Sequence, residues 1–216
     1  MYSILKKNNP LQKELEALKR ENAVMAKELD FLKNQFNAHI IFNFFNFCYS
    51  KVHKSSKSAA EAIEAFSDML RYSLQVKPDK NVPLKKEIEY LENYICVQKC
   101  LTTKVCVHFK YEGLINGKSI LPGILVTFVE NAFKYGEINN EAYPIEIYLL
   151  ADTDRIIFKV KNKKNLSKLI ELNSNHQTIK QLLDTFYGVG YELKVEDGGL
   201  EYEVELELGG RKAVVF

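Results

Sequence analysis

No window of this 216-residue chain approaches the roughly 20 consecutive apolar residues that cross a bilayer. Lys6 and Lys7 near the start have no apolar segment behind them, so no signal peptide is read. A cytoplasmic protein is expected. Cysteine is scarce: Cys48, Cys96, Cys100 and Cys106 suit a reduced compartment and give no disulfide framework. A basic excess is also missing. Thirty basic residues stand against 28 acidic ones, which argues against a dedicated nucleic-acid binder. No internal repeat or low-complexity tract occurs. Between Gly136 and Gly188 there is not one glycine. What remains, 46% hydrophobic and 27% charged residues, is a soluble globular composition long enough for one large domain or two small ones.

The chain reads as α+β, with helices first and a mixed segment after them. Leu11, Leu15, Leu18, Asn22, Met25, Leu29, Leu32 and Phe36 alternate steps of four and three, the seam of a coiled coil. Asn22 on that seam suits a two-stranded register. A second helix covers 59–74, with Ile63, Phe66, Leu70 and Leu74 along one face. Pro78 and Pro83 then mark a linker, and Pro83 opens a helix with the stripe Leu84, Ile88, Leu91, Ile95 and Gln98. After Thr103 the signals become β-α-β-β-α-β-β: strands VCVHFKY, IEIYLL, RIIFKVKN, YELKVED and EYEVELEL, and helices ILPGILVTFVENAFKY and NHQTIKQLLDTFY. The expected domains are a coiled-coil linker over 1–36, a helical domain over 37–80 and an α+β domain over 81–216.

One stretch, NAHIIFNFFN, sets a histidine and three asparagines among isoleucines and phenylalanines. At about 100° per residue, Gln35, His39, Asn43, Asn46 and Ser50 share an arc. Ile40, Ile41, Phe44, Phe47 and Cys48 share another. His39 is therefore expected to face water, where a neutral imidazole serves as nucleophile or proton carrier, or simply as a solvated side chain.

The segment FLKNQFNAHIIFNFFN resembles the phosphoacceptor region of LytS/YehU-type sensor histidine kinases, at Leu32, Gln35, Asn37, His39, Phe42, Asn43 and Asn46. Ala38 departs from the family proline, and Ile40 and Ile41 from its Phe-Leu. FSDMLRYSL, VPLKKEIEYLENYICVQK and VENAFKYG continue the resemblance in order. It implies that His39 is the phosphoacceptor, with Asn43 one turn away to orient it. It implies a dimerisation and phosphotransfer domain that forms a four-helix bundle in the homodimer, followed by a Bergerat-type (GHKL) ATP-binding α/β sandwich. The implied cofactors are ATP and Mg²⁺, and the implied partner is a response regulator, of LytTR type. Relatives are often tethered to the inner membrane through a sensor segment, so any membrane link here runs through a separate or missing one.

By the same resemblance, Glu130, Asn131 and Lys134 are the nucleotide-site residues, with Asn131 as the Mg²⁺ ligand and Lys134 facing phosphate charge. Tyr135 replaces a family histidine. Asn162 stands at the asparagine of the adenine-holding turn, without that turn's aspartate and glycine. The family's glycine box corresponds to NSNHQTIKQLL, which has no glycine; Asn175, His176 and Gln177 stand where bare backbone approaches phosphate. Gly188 and Gly190 follow the helix and lie at its wrong end for that task. Two alternatives to a kinase therefore remain: a histidine phosphotransfer protein, or a regulatory pseudokinase that does not use ATP. Cys96, Cys100, Cys106 and His108 cluster in sequence, but their spacing is not that of a zinc site, and three of them are expected to be core or half-buried. His53 takes no role, and NKKNLSK reads as a solvated loop.

Overall fold

The computed structural model describes residues 14, 16–21, 23–25, 38–165, 167 and 175–209. Two compact units divide the chain between Val52 and His53.

In the first unit, residues 14, 16–21 and 23–25 are helical. The seam positions Leu18 and Met25 are exposed there. Leu11, Leu15, Asn22, Leu29, Leu32 and Phe36 lie outside the described residues, as do Gln35 and Asn37. Helix α1 (Ala38–Val52) follows. Its wet arc is as the spacing predicts: His39, Asn43, Asn46 and Ser50 are all exposed. Its apolar residues divide differently from the expected single face. Ile41, Phe42, Phe45 and Cys48 are half-buried, while Ile40, Phe44 and Phe47 stand open.

The second unit begins with a helical hairpin. Helix α2 (Lys57–Gln75) starts at Ser56, whose hydroxyl accepts the Ala59 N–H at 3.3 Å. Helix α3 (Leu84–Leu101) packs along it. The buried residues of α2 are Ala60, Ala65 and Met69, not the stripe of Ile63, Phe66, Leu70 and Leu74, of which Phe66 is exposed. A search for large aliphatics passes over the residues that carry this contact, two alanines, a methionine and Tyr72. The segment around Pro78 is therefore the bend of a hairpin inside the unit that runs from His53 to Phe216.

Strands β1 (Val82–Pro83) and β3 (Ser119–Ile120) form a short antiparallel pair that pins the start of α3. The main sheet has the order β2-β4-β5-β7-β6, from β2 (Val107–Gly113), β4 (Ile145–Ala151), β5 (Arg155–Lys163), β6 (Tyr191–Gly198) and β7 (Glu201–Gly209). Among the described strands only β2 and β4 run parallel, with helix α4 (Ile124–Tyr135) in the crossover between them. Helix α5 (Asn175–Tyr187) connects β5 to β6. The sequence had drawn α4 from Ile120. The chain instead pairs Ser119–Ile120 as strand, then turns through Pro122 and Gly123, whose φ of +77° is open to glycine.

The sheet explains its own alternating sequence. Ile147, Leu149, Phe158, Val160, Val204 and Leu206 point to one side and are buried with residues of α3, α4 and α5. The opposite side carries Lys159 against Glu205, Arg155 against Glu207 at 3.4 Å and Lys161 near Glu201 at 3.2 Å. Exposed pairs contribute about 0–1 kcal/mol each. Each large inward side chain contributes about 1.5–3 kcal/mol. The inward face therefore holds the sheet together and sets its register, since a slip of one residue would turn every inward side chain out. Among the described residues no helix is long and apolar enough to cross a membrane.

Candidate functional site

Helix α1 sets up the first candidate site by spacing alone. Four residues on from His39, the Asn43 amide nitrogen lies 3.2 Å from Nδ1 and 3.4 Å from Nε2 of the imidazole. Both side chains are exposed, so the ring is held by a neighbour and remains open to a large reactant.

Helix α4 and strand β5 set up the second. Nine residues of α4 are buried, and its outer stripe is Thr127, Glu130 and Lys134. Glu130 lies at the surface, yet protein atoms around its carboxyl strip part of its water and raise its pKa. Lys134 reaches over the Tyr135 ring at 4.9 Å. Asn131, beside this stripe, is buried. Strand alternation then delivers Asn162: Ile156, Phe158, Val160 and Asn162 form one inward column of β5. Asn162 is 3% exposed and packs against Gly136, the residue that ends α4. Its Nδ2 donates to the Lys163 carbonyl at 3.1 Å, whereas its Oδ1 is buried with no hydrogen-bond partner. The junction is stitched by Glu137 N–H to Lys163 O and Asn165 N–H to Tyr135 O, both 2.8 Å. Buried Lys164 pairs with Asp197 of the β6–β7 hairpin.

Of the glycine-free stretch NSNHQTIKQLL, Asn173 and Ser174 lie outside the described residues, and Asn175, His176 and Gln177 are described only as helical backbone. Gly188 and Gly190 do sit at the C-terminal end of α5, where the Gly188 N–H closes on Asp184 O at 3.2 Å just before β6. Among the described residues no three potential ligands gather around a metal position. Cys96 and Cys106 are half-buried, while Cys100 and His108 are exposed, so two of the four are half-buried rather than three. Clefts of about 240 Å³ between α2 and α3 and about 570 Å³ along β2 do not include Asn131 or Asn162.

A residue the sequence reading missed is Glu87, which is 1% exposed. Its carboxylate accepts the Tyr72 hydroxyl at 2.6 Å and the Gly123 N–H at 3.0 Å from each oxygen. The signal was present: Leu84, Glu87, Leu91 and Ile95 follow the spacing of the buried face of α3. Burial raises the Glu87 carboxyl above its ordinary value of 4.5, against the lowering by Tyr72 and Gly123. The fold thus binds this proton more tightly than the unfolded chain does, and stability drains away as pH climbs from about 4.5 through the raised value. Glu87→Gln lacks that titration. Relative to wild type, its urea midpoint is expected to improve as pH rises through that window, and a difference that stays flat with pH contradicts this. Tyr72 and Tyr187 are the other titrating groups at the carboxylate, and both are pushed upward.

The family model for histidine kinases matches residues 27–104, which include α1, α2 and α3. The sensor histidine kinase YpdA of Escherichia coli is 29% identical over 111 residues, half of this chain and 19% of that protein. Over these residues the chain is similar to sensor histidine kinases, the LytS type among them. The sensor protein LytS of Oceanobacillus iheyensis is 27% identical over 56% of this chain and 21% of its own length. The sensor protein kinase HptS of Staphylococcus aureus is 27% identical over 69% and 28%. The chain thus spans 19% to 28% of the length of these relatives.

Proposed function

We propose that this LytS-type chain is a protein-histidine kinase of two-component signalling. In this reading ATP phosphorylates His39, and an aspartate of a response regulator, of LytTR type, then takes the phosphoryl group. The observation that carries the reading is the exposed His39 with the Asn43 amide against its ring. An imidazole nitrogen attacks with a free lone pair. Half a turn of the amide puts the Asn43 oxygen where its nitrogen stands, to accept Nδ1–H and leave the Nε2 pair open. The Nε2–P bond forms as the bond from the γ-phosphorus to the bridging oxygen of ADP breaks, and the Nδ1 proton passes to water.

The second unit offers groups that fit the nucleotide. The unpartnered, buried Asn162 Oδ1 is an acceptor suited to the adenine amino group. The Asn131 amide oxygen is a hard donor suited to Mg²⁺, and the exposed Lys134 ammonium is suited to phosphate charge. Glu130 beside Asn131 is placed to polarise a neighbouring group. In α1, the open Ile40, Phe44 and Phe47 support a homodimer, since a second copy would take these side chains out of water. The dimerisation and phosphotransfer helices, 37–80, would then stand ahead of an ATP-binding domain, 81–216, and any membrane tether would run through a missing or separate sensor segment.

The second reading, a phosphotransfer protein or pseudokinase, is favoured by the absence of glycine between Gly136 and Gly188. Incubation with γ-labelled ATP and Mg²⁺ separates the two. Acid-labile label on the chain is expected. No label and no measurable ATP binding sink the kinase reading. Label accepted only from a phosphorylated response regulator assigns the phosphotransfer role.

A further inference from the structure

Helix α4 has an N-terminus that it cannot cap for itself. Its N-cap residue is Gly123, which has no side chain to offer. The cap is supplied from elsewhere in the fold. Glu87 of α3 places both carboxylate oxygens 3.0 Å from the Gly123 N–H, a negative charge at the positive end of α4. Glu87 is held in turn from α2, because the Tyr72 hydroxyl donates to its Oε1 at 2.6 Å. The Tyr72 ring leans on Tyr90, with centroids 5.2 Å apart. The Tyr187 hydroxyl of α5 accepts the Leu121 N–H at 2.9 Å. Three helices therefore converge on the turn that starts α4.

We propose that Tyr72 and Glu87 form a latch that seats the first turn of α4, so that the position of α2 is passed through one buried carboxylate to the helix bearing Asn131 and Lys134. The two residues are positioning residues. The consequence for nucleotide rests on the reading of α4 given above; the seating of α4 does not. When α2 shifts, Tyr72 lets go of Glu87. The carboxylate is then left with one partner in a dry site, and its grip on Gly123 loosens. Asn131 and Lys134 lie two to three turns further along the same rigid helix and move with it.

Tyr72→Phe tests this, since it keeps the ring and removes only the hydroxyl. Amide hydrogen exchange at Gly123 and at Thr127, whose N–H closes on Gly123 O, is expected to speed up about tenfold, the scale of one lost hydrogen bond to a charged group. Exchange at Ile147 and Phe158 in the sheet is expected to stay as in wild type. Tyr90→Phe, the neighbour in the same ring pair, is expected to change neither. Equal acceleration everywhere means general loosening and overturns the latch, as does unchanged exchange at Gly123 and Thr127. The dissociation constant for Mg-ATP supplies the second readout, expected to rise severalfold in Tyr72→Phe. Faster exchange at the cap with unchanged affinity refutes the link from α2 to the nucleotide. A wild-type chain that binds no ATP refutes the nucleotide reading of α4, while the exchange result still decides the latch.

Discussion

Replacing His39 with alanine is expected to abolish acid-labile phosphoryl label on the chain and to leave its melting temperature and its affinity for Mg-ATP unchanged. The size of the effect follows from the chemistry. A phosphoryl group transferred to an imidazole has nowhere to go when the imidazole is removed, so the loss is complete rather than partial. The absence of collateral damage follows from the position. His39 is exposed on α1, and substitutions at such sites shift stability by no more than about 0.5 kcal/mol. Unfolding therefore cannot imitate the result. Asn43→Ala is expected to slow labelling by about tenfold, because it removes one hydrogen bond that orients the ring and not the nucleophile itself. His53 and His108 are also exposed and serve as controls; their alanine variants are expected to label normally. Label that survives in His39→Ala and disappears in one of these moves the phosphoacceptor to that histidine.

The legibility of these features in the sequence differs from residue to residue. His39 was legible because a helix has one period, and the polar arc through Asn43, Asn46 and Ser50 follows from it. The side chain of Asn162 was legible in direction for the same kind of reason, since a strand alternates and Phe158 and Val160 had to be inside. Its missing partner was not, because an unsatisfied oxygen is a property of three-dimensional surroundings. Glu87 was hidden by a plausible local story. An acidic residue in a first helical turn already has a role at its own helix terminus. Only the fold brings the N-terminus of a different helix to it, 36 residues on in the chain. The packing of α2 was misread because its inward side uses alanine and tyrosine where the sequence search weighed isoleucine, phenylalanine and leucine. In each case period and composition gave the element, and the partner came from contacts far apart in sequence.

Gly136→Ala is expected to destabilise the fold by about 2–4 kcal/mol and to weaken nucleotide binding at the same time. Gly136 has φ −86° and ψ 162°, which alanine adopts freely, so the backbone is no obstacle. In open space the exchange would even help, by about 0.4–1 kcal/mol through the unfolded chain. Space decides the sign. An added Cβ runs into the Ala132 carbonyl, which is fixed because it accepts the Gly136 N–H at 2.9 Å. It also stands 3.1 Å from Asn162 Nδ2 and 3.4 Å from Asn162 Cβ. The backbone cannot yield cheaply, so Asn162 and the end of α4 must separate. That is the junction holding the proposed adenine acceptor, and for this reason one methyl group acts on stability and binding together. Gly117→Ala supplies the contrast. Its φ is +84° with nothing within 4 Å, so it carries backbone strain of about 1–2 kcal/mol and no clash. It is expected to leave ATP affinity as it was. Urea midpoints and calorimetric binding on the two variants separate strain from crowding. If Gly136→Ala binds ATP as wild type does, Asn162 is not the residue that meets the nucleotide.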